Sequence, residues 1–468
     1  MTKYNFPMTL DRQFKNQLEY LHNKYGDEMM RIEGMSPNQL DTCKFFKNFM
    51  KTNTVADATI DDNANVTNKN ITTMLNEANK PFLKLLSRNK LYIEMKEEFG
   101  IDVANEFLES AVNGELYEHD SFLSSYQPYC FAFSLKPIVE KGLYFIEEMR
   151  ANPPQHWDTF NHHVLEFVSY ATNQTAGATG LPDYLIYAYY FYQKDTQNMT
   201  DEQTTKYRNQ KFQEVVFNLN QPYLKSGIQS AYTNFSILDI DHIAKFFSEE
   251  KYPDGSNIIA HLDGILQFQQ DFLDYIGELR KEKWHTFPVI SASLIFKDGK
   301  YIDEETAKMV VEHNWKYGFN DVNIMNVEEV TSIAACCRLI NNKKELKNKT
   351  FNSIGGSDIN VGSTKVVTLN LVRLALLSKN EDDFIKLVEE KTKLIHKYHF
   401  AHRNTLKKLI KKGLLPLYTH QMMSLDDQFA TVGINGVYEA MKILGGISKD
   451  EQGYYYNEKG FEIAQRMF

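Results

Sequence analysis

The stretch Phe287–Lys300, FPVISASLIFKDGK, decides the fold class. It reads as a strand ending in an Asp-Gly turn. Asp303–Tyr317 reads as the helix that follows, and DVNIMNV (321–327) as the next strand. After a Lys/Asn-rich loop, NNKKELKNK, the segment FNSIGGSDINVGSTKVVTLNLVRLALLS (351–378) supplies a glycine-rich loop, a strand and a helix. Strands alternating with helices predict an α/β core with mainly parallel pairing. No repeat of 20–50 residues is visible, which excludes a solenoid.

The N-terminal half is more helical. Residues 11–34 place Phe14, Leu18, Leu21 and Tyr25 at helical spacing. Residues 67–99 read as a pair of helices, with Pro81 at a start. Phe160–Asp195 reads as long and helical, interrupted by TAGATGLPD, where Gly177, Gly180 and Pro182 break or bend it. Residues 195–211 are polar and read as a surface insertion.

At 468 residues the chain exceeds a typical single domain, so two domains or one large barrel are expected. A hydrophobic content of 43%, with 31 Phe and 27 Tyr, provides ample core. The net charge of −9 argues against a protein that coats nucleic acid. No run of 18 apolar residues occurs, and MTKYNFPMTLDRQ lacks the apolar stretch of a signal peptide. With few cysteines, this points to the reducing cytoplasm.

Half of the four cysteines stand side by side, Cys336 and Cys337 in TSIAACCRL, the others being Cys43 and Cys130. Neighbouring residues have Cα atoms about 3.8 Å apart, too close for an ordinary disulfide. No CxxC or HxxxH spacing offers the rest of a metal site, so no metal ligands are assigned. Two readings stay open for the pair: two small buried hydrophobes, or one reactive thiol that needs a distant partner. Cys130, in QPYCFAFSL, reads as a core thiol in a strand, and Cys43 as a packing residue on a helix. His119-Asp120 offers an acid–base pair, although neighbours on a strand point to opposite faces. IGGSDINVGS (354–363) either presents amides to phosphate oxygens or is a plain tight loop.

Taken in order, DDNANV (61–66), LYEHD (116–120), PYCFAFSLKPIVEKGL (128–143), ATNQTAGATGLPD (171–183), YTNFS (232–236), FPVISASLIFKDGK, AACCRL, NSIGGSDINVGSTKVVTLNL and GLLPLY…TVGINGVYE (413–439) resemble the anaerobic, class III ribonucleotide reductases. The likeness runs from about Tyr4 to the C-terminus. It implies a ten-stranded α/β barrel of the glycyl-radical type, spanning 61–468 behind an N-terminal helical segment (1–60), with a finger loop inside that presents a cysteine. In the family that cysteine stands before an arginine, which matches Cys337 before Arg338 and leaves Cys336 as its neighbour. Its thiyl radical removes the 3′ hydrogen of a ribonucleoside triphosphate. The second family cysteine matches Cys130 on the first barrel strand, as donor of proton and electron. His119, Asn234, Ser353, Gly355 and Gly356 are the expected substrate contacts.

The resemblance also implies control by dNTP or ATP effectors, with magnesium, at a homodimer interface built from Phe160–Ala171 and Tyr184–Asp195. Glu166 and Lys194 are the effector contacts expected there. Ala335 stands where many formate-dependent members have methionine, which favours a redoxin as reductant. The chain starts directly with the helix at Asp11, so no ATP-cone is expected. No Arg-x-x-Gly-Tyr occurs in it, and the expectation is a glycyl radical on a separate chain, generated by a radical-SAM iron–sulfur activase. A glycyl-radical lyase, or an inactive paralogue acting as a regulatory nucleotide-binding dimer, are the competing readings. Neither a membrane nor a nucleic acid is an expected partner.

Overall fold

The computed structural model describes residues 9–26, 42–51, 70–145, 149–227, 229–282, 285–318, 320–325, 334–335, 339–340 and 360–467. Its strands, in chain order, are β1 (Leu116–Glu118), β2 (Cys130–Ala132), β3 (Thr179–Gly180), β4 (Thr233–Leu238), β5 (Val289–Lys297), β6 (Lys300–Tyr301) and β7 (Asn320–Met325). They continue with β8 (Ala334–Ala335), β9 (Leu339–Ile340), β10 (Val361–Asn370), β11 (Gln428–Asn435), β12 (Ile447–Asp450) and β13 (Gly453–Tyr456). Nine of these form one curled mixed sheet. β2, β3, β4, β5 and β7 run parallel, side by side. β10 runs antiparallel to both β1 and β2 and pairs with β11 in parallel.

The stretch that decides the fold forms as its sequence predicts. β5 ends at Asp298-Gly299, both at positive φ (52° and 81°), the backbone that a two-residue hairpin turn requires, and β6 returns along it. The helix Glu304–Tyr317 follows, capped by the Asp303 carboxylate on the Thr306 amide, and leads into β7.

Two helical expectations are corrected and a third holds. Residues 71–99 form one helix, not two, with Pro81 inside it. Proline has no N–H to give the Glu77 carbonyl, but packing against the helices Ile101–Val112 and Glu381–Lys411 carries the helix through. The polar segment after Asp195 is mostly the exposed start of a helix, Asp201–Leu219, which a Thr200–Gln203 capping box opens. Its buried residues, Phe212, Val215, Val216 and Leu219, begin just past the polar window. TAGATGLPD separates the helices Trp157–Thr172 and Tyr184–Thr196, and it also supplies β3.

Side chains alternate across a strand, and here the alternation sorts chemistry. Phe131, Phe235, Ile237, Ile290, Ala292 and Leu294 join the core formed with the helices Trp157–Thr172, Tyr184–Thr196 and Leu262–Glu282. Tyr184 stacks on Phe235 at 4.1 Å between ring centroids, and Phe272 lies 5.7 Å from it. The opposite face carries Cys130, Gly180, Asn234, Ser236, Ser291, Ser293 and Ser363, related by the pairings Cys130–Ser363, Ala132–Gly180, Gly180–Asn234 and Ser236–Ser291. Its cysteine, asparagine and serines are buried as deeply as the core.

Candidate active site

Cys130 opens β2, as expected of a strand cysteine, and its thiol is buried. The turn Ala176–Ala178 lies against it: the Gly177 amide donates to the Tyr129 carbonyl (2.6 Å), and the Ala178 amide to the Cys130 sulfur (3.2 Å). A Cβ at Gly177 would stand 2.6 Å from that sulfur, so the close approach requires glycine. Asn234, on the same face two strands away, donates through Nδ2 to the Ser291 hydroxyl (3.2 Å). Its Oδ1 is buried without a hydrogen-bond partner. A Cβ at Gly180 would come within 2.8 Å of that oxygen. An unsatisfied buried amide oxygen costs stability, and this atom retains its capacity to accept a hydrogen bond.

His119 and Asp120 are not neighbours on a strand, because β1 ends at Glu118 and Asp120 turns the chain at φ 47°. His119 shares a hydrogen bond between Nε2 and the Thr368 hydroxyl (2.9 Å) and meets the Tyr129 ring edge-on at 6.1 Å. The Tyr129 hydroxyl donates to the Asp120 carboxylate. Burial raises the Asp120 carboxyl above its usual range, and the Lys225 ammonium opposes that shift. Lys225 is buried too, donating from Nζ to the carbonyls of Ala176 (2.7 Å) and Gly177 (3.4 Å). Burial pushes its ammonium down to about 8, against the opposing pull of Asp120 and Cys130.

Beneath the His119 turn lies a second buried charged group. Arg88 Nε meets Glu118 at 3.3 Å, and the Tyr398 hydroxyl donates to the same carboxylate. Lys365 donates to the Ser124 hydroxyl and to the His119 carbonyl (3.4 Å), so it fixes the turn from below. Burial, and then the Lys365 charge, hold His399 (down to about 3) and His402 in the neutral form.

Cys337, Cys336, Ser353, Gly355 and Gly356 lie outside the described residues. The two-residue ladder of β8 and β9 brackets 336–338 in sequence, with β8 beside β4 and β5, and β9 beside β10. Cys43 sits on the helix Thr42–Phe49 but is exposed, so it is not the packing residue expected. Glu166 and Lys194 are not brought together within the chain. Lys194 donates to the Gln155 carbonyl (2.9 Å), ahead of the helix Trp157–Thr172. Glu166 lies about 14 Å further along that helix, beside a cavity of about 430 Å³ that Tyr170, Asn173 and Gln174 also line. Among the described residues no group of three or more His, Cys, Asp or Glu could hold a metal, and no helix is long and apolar enough to cross a membrane.

Sequence reasoning missed Lys225, Tyr129 and Lys365 as parts of this site. Nothing in PYLKSG marks Lys225 as buried, since a lone lysine is ordinarily solvated. The serines of β5 did leave a trace, recurring at alternate positions of an otherwise apolar strand.

A buried thiol and an underbonded amide lie on the polar side of a curled α/β sheet, with a buried lysine–aspartate pair next to the turn that wraps the thiol. The family model described as anaerobic ribonucleoside-triphosphate reductase matches residues 76–467. The anaerobic ribonucleotide reductase from Thermotoga maritima, in complex with dATP and CTP, superposes with a TM-score of 0.84 at 37% identity, covering 99% of this chain and 73% of that one. The structure of the same protein with citrate in the active site gives 0.82 at 36%, covering 99% and 80%. A further anaerobic ribonucleotide reductase gives 0.83 at 37%, covering 100% and 71%. Comparison with curated proteins gives no match. The chain belongs to the anaerobic ribonucleoside-triphosphate reductase family and is an enzyme of that type.

Proposed function

We propose that this enzyme reduces ribonucleoside triphosphates by radical chemistry, with a thiyl on Cys337 removing the 3′ hydrogen and Cys130 supplying proton and electron. The observation that carries this reading is the buried Cys130 thiol on the polar face of the sheet, with the unpartnered Asn234 oxygen on the same face. The β8–β9 ladder supports a finger loop bearing Cys337, and the parallel set β2–β3–β4–β5–β7 beside β10–β11 supports a ten-stranded barrel. His119, Asn234, Ser353, Gly355 and Gly356 position ribose and phosphate.

The radical reaches Cys337 from a glycine outside these 468 residues, installed by a radical-SAM activase on a separate chain. A redoxin then reduces the disulfide that Cys130 forms. The relative that binds dATP and CTP supports a nucleotide effector. Here it binds with magnesium between two copies of the chain, so that Glu166 of one copy and Lys194 of the other reach one nucleotide.

Anaerobic assay of deoxynucleotide formation with serine variants tests the reading. Cys337→Ser and Cys130→Ser abolish turnover, while Cys336→Ser retains it. Wild-type turnover by Cys130→Ser would overturn the assignment.

A further inference from the structure

Lys225 is a fully buried lysine bound to neutral carbonyls, an expensive place for a charge unless the charge is used. Its two acceptors, Ala176 and Gly177, immediately precede the amide that bonds the Cys130 sulfur. The ammonium is therefore fixed behind the turn that wraps the thiol. The charged and titratable groups that act on it are Asp120 and Cys130, which favour its charge, and Lys80, which opposes it. Asp120 in turn feels Tyr129, Lys80 and Lys365.

We infer that Lys225 is a positioning residue for Cys130, its ammonium balancing the negative charge that the sulfur takes on when the thiol gives up its proton. In the proposed reaction the Cys130 S–H bond breaks and its proton goes to the 2′ hydroxyl; the C2′–O bond breaks with its electron pair on oxygen, water leaves, and the sugar radical keeps the positive charge. The bonding pair stays on sulfur as a thiolate. In a buried site that charge is costly unless a fixed opposite charge stands near it. Asp120 holds the lysine charged between turnovers and is the counter-ion the thiolate competes with.

The inference rests on Cys130 being the proton donor, but it can be read on the thiol without turnover. The full-length chain, reduced and anaerobic, is labelled with methyl methanethiosulfonate across a pH series, and each cysteine peptide is followed by mass spectrometry. Only the thiolate reacts, so the rate reports its population. Lys225→Met slows labelling of Cys130 by about tenfold near neutral pH, equivalent to about one unit in the thiol titration. The gap closes as pH rises past about 8, where Lys225 itself loses its charge. Lys225→Arg keeps the wild-type profile.

A Lys225→Met profile that superimposes on wild type would overturn the inference. So would faster labelling at every pH, the mark of a mere anchor whose loss opens the turn. Should Lys225→Met not fold, Lys225→Gln, which keeps a donor for the two carbonyls but carries no charge, overturns it by labelling Cys130 with the wild-type profile. The two readings fail separately: an unshifted profile with Cys130→Ser inactive sinks only the role of Lys225. A shifted profile with Cys130→Ser active sinks only the reduction chemistry.

Discussion

On one side of β4, Phe235 and Ile237 stack into the aromatic core; on the other, Asn234 and Ser236 are just as buried, among serines and a thiol. The same six residues of chain supply both. On the apolar side the choice of residue follows from packing, since each buried aromatic contributes roughly 1.5–3 kcal/mol by leaving water. On the polar side the same burial brings little or nothing, and at Asn234 Oδ1 it leaves an acceptor unsatisfied. A family of apolar-on-both-faces strands would be more stable. What the polar face provides is a buried surface of small polar side chains around the Cys130 thiol.

The comparison can be broken by substitutions on each side. On stability the largest effect is expected on the apolar face. Phe235→Ala removes a ring stacked on Tyr184 and tilted against Phe272 and costs roughly 3–5 kcal/mol, measured by urea denaturation. A loss below about 1 kcal/mol would mean that this face does not hold the sheet.

Next comes Asp183, buried at the start of the helix Tyr184–Thr196. Its carboxylate accepts from the Ser134 hydroxyl (2.7 Å) and the Leu135 amide (3.1 Å), and burial pushes its carboxyl up to about 7 from the ordinary 3.8. Between these values the folded chain holds a proton that the unfolded chain has lost. Stability therefore falls as pH rises from about 4 to about 7, by an amount on the order of a few kcal/mol. Asp183→Asn is neutral throughout and should flatten that slope in denaturation curves taken across the range. An unchanged slope would assign the pH dependence to other groups.

The smallest stability effect is expected on the polar face. Asn234→Ala gives up one neutral hydrogen bond and one unpaired oxygen, a change within about 1 kcal/mol. Turnover should nevertheless fall by about a hundredfold, the scale of losing one positioned polar group in an active site. Stability and activity would thus respond in opposite order on the two faces. A large stability loss with undiminished turnover would make Asn234 a structural residue.

How far the sequence reveals this division depends on the range of the interactions involved. FPVISASLIFKDGK yields β5 and its turn, because alternation and an Asp-Gly turn are local properties. Cys130 is legible as a strand thiol for the same reason. The single helix through Pro81 is not, since part of the packing that overrides proline comes from the helix Glu381–Lys411, far along the chain. Lys225 is illegible for the same cause. Its burial is set by Ala176, Gly177 and Asp120, contributed by other segments, and neither flanking residue predicts it. His119-Asp120 is seen as a pair but misread as strand, because a positive φ at a non-glycine residue leaves no mark in composition. Cys337 is assignable only from its place before Arg338, by resemblance.

The central claim is that the thiol on the polar face is consumed by the reaction. A single anaerobic turnover of the activated enzyme with a ribonucleoside triphosphate, run without redoxin and quenched with an alkylating agent, tests it most directly. Peptide mapping should find Cys130 in a disulfide with Cys337, formed in step with deoxynucleotide, while Cys43 and Cys336 remain free. Deoxynucleotide produced with Cys130 still recovered as an alkylated thiol would contradict the account.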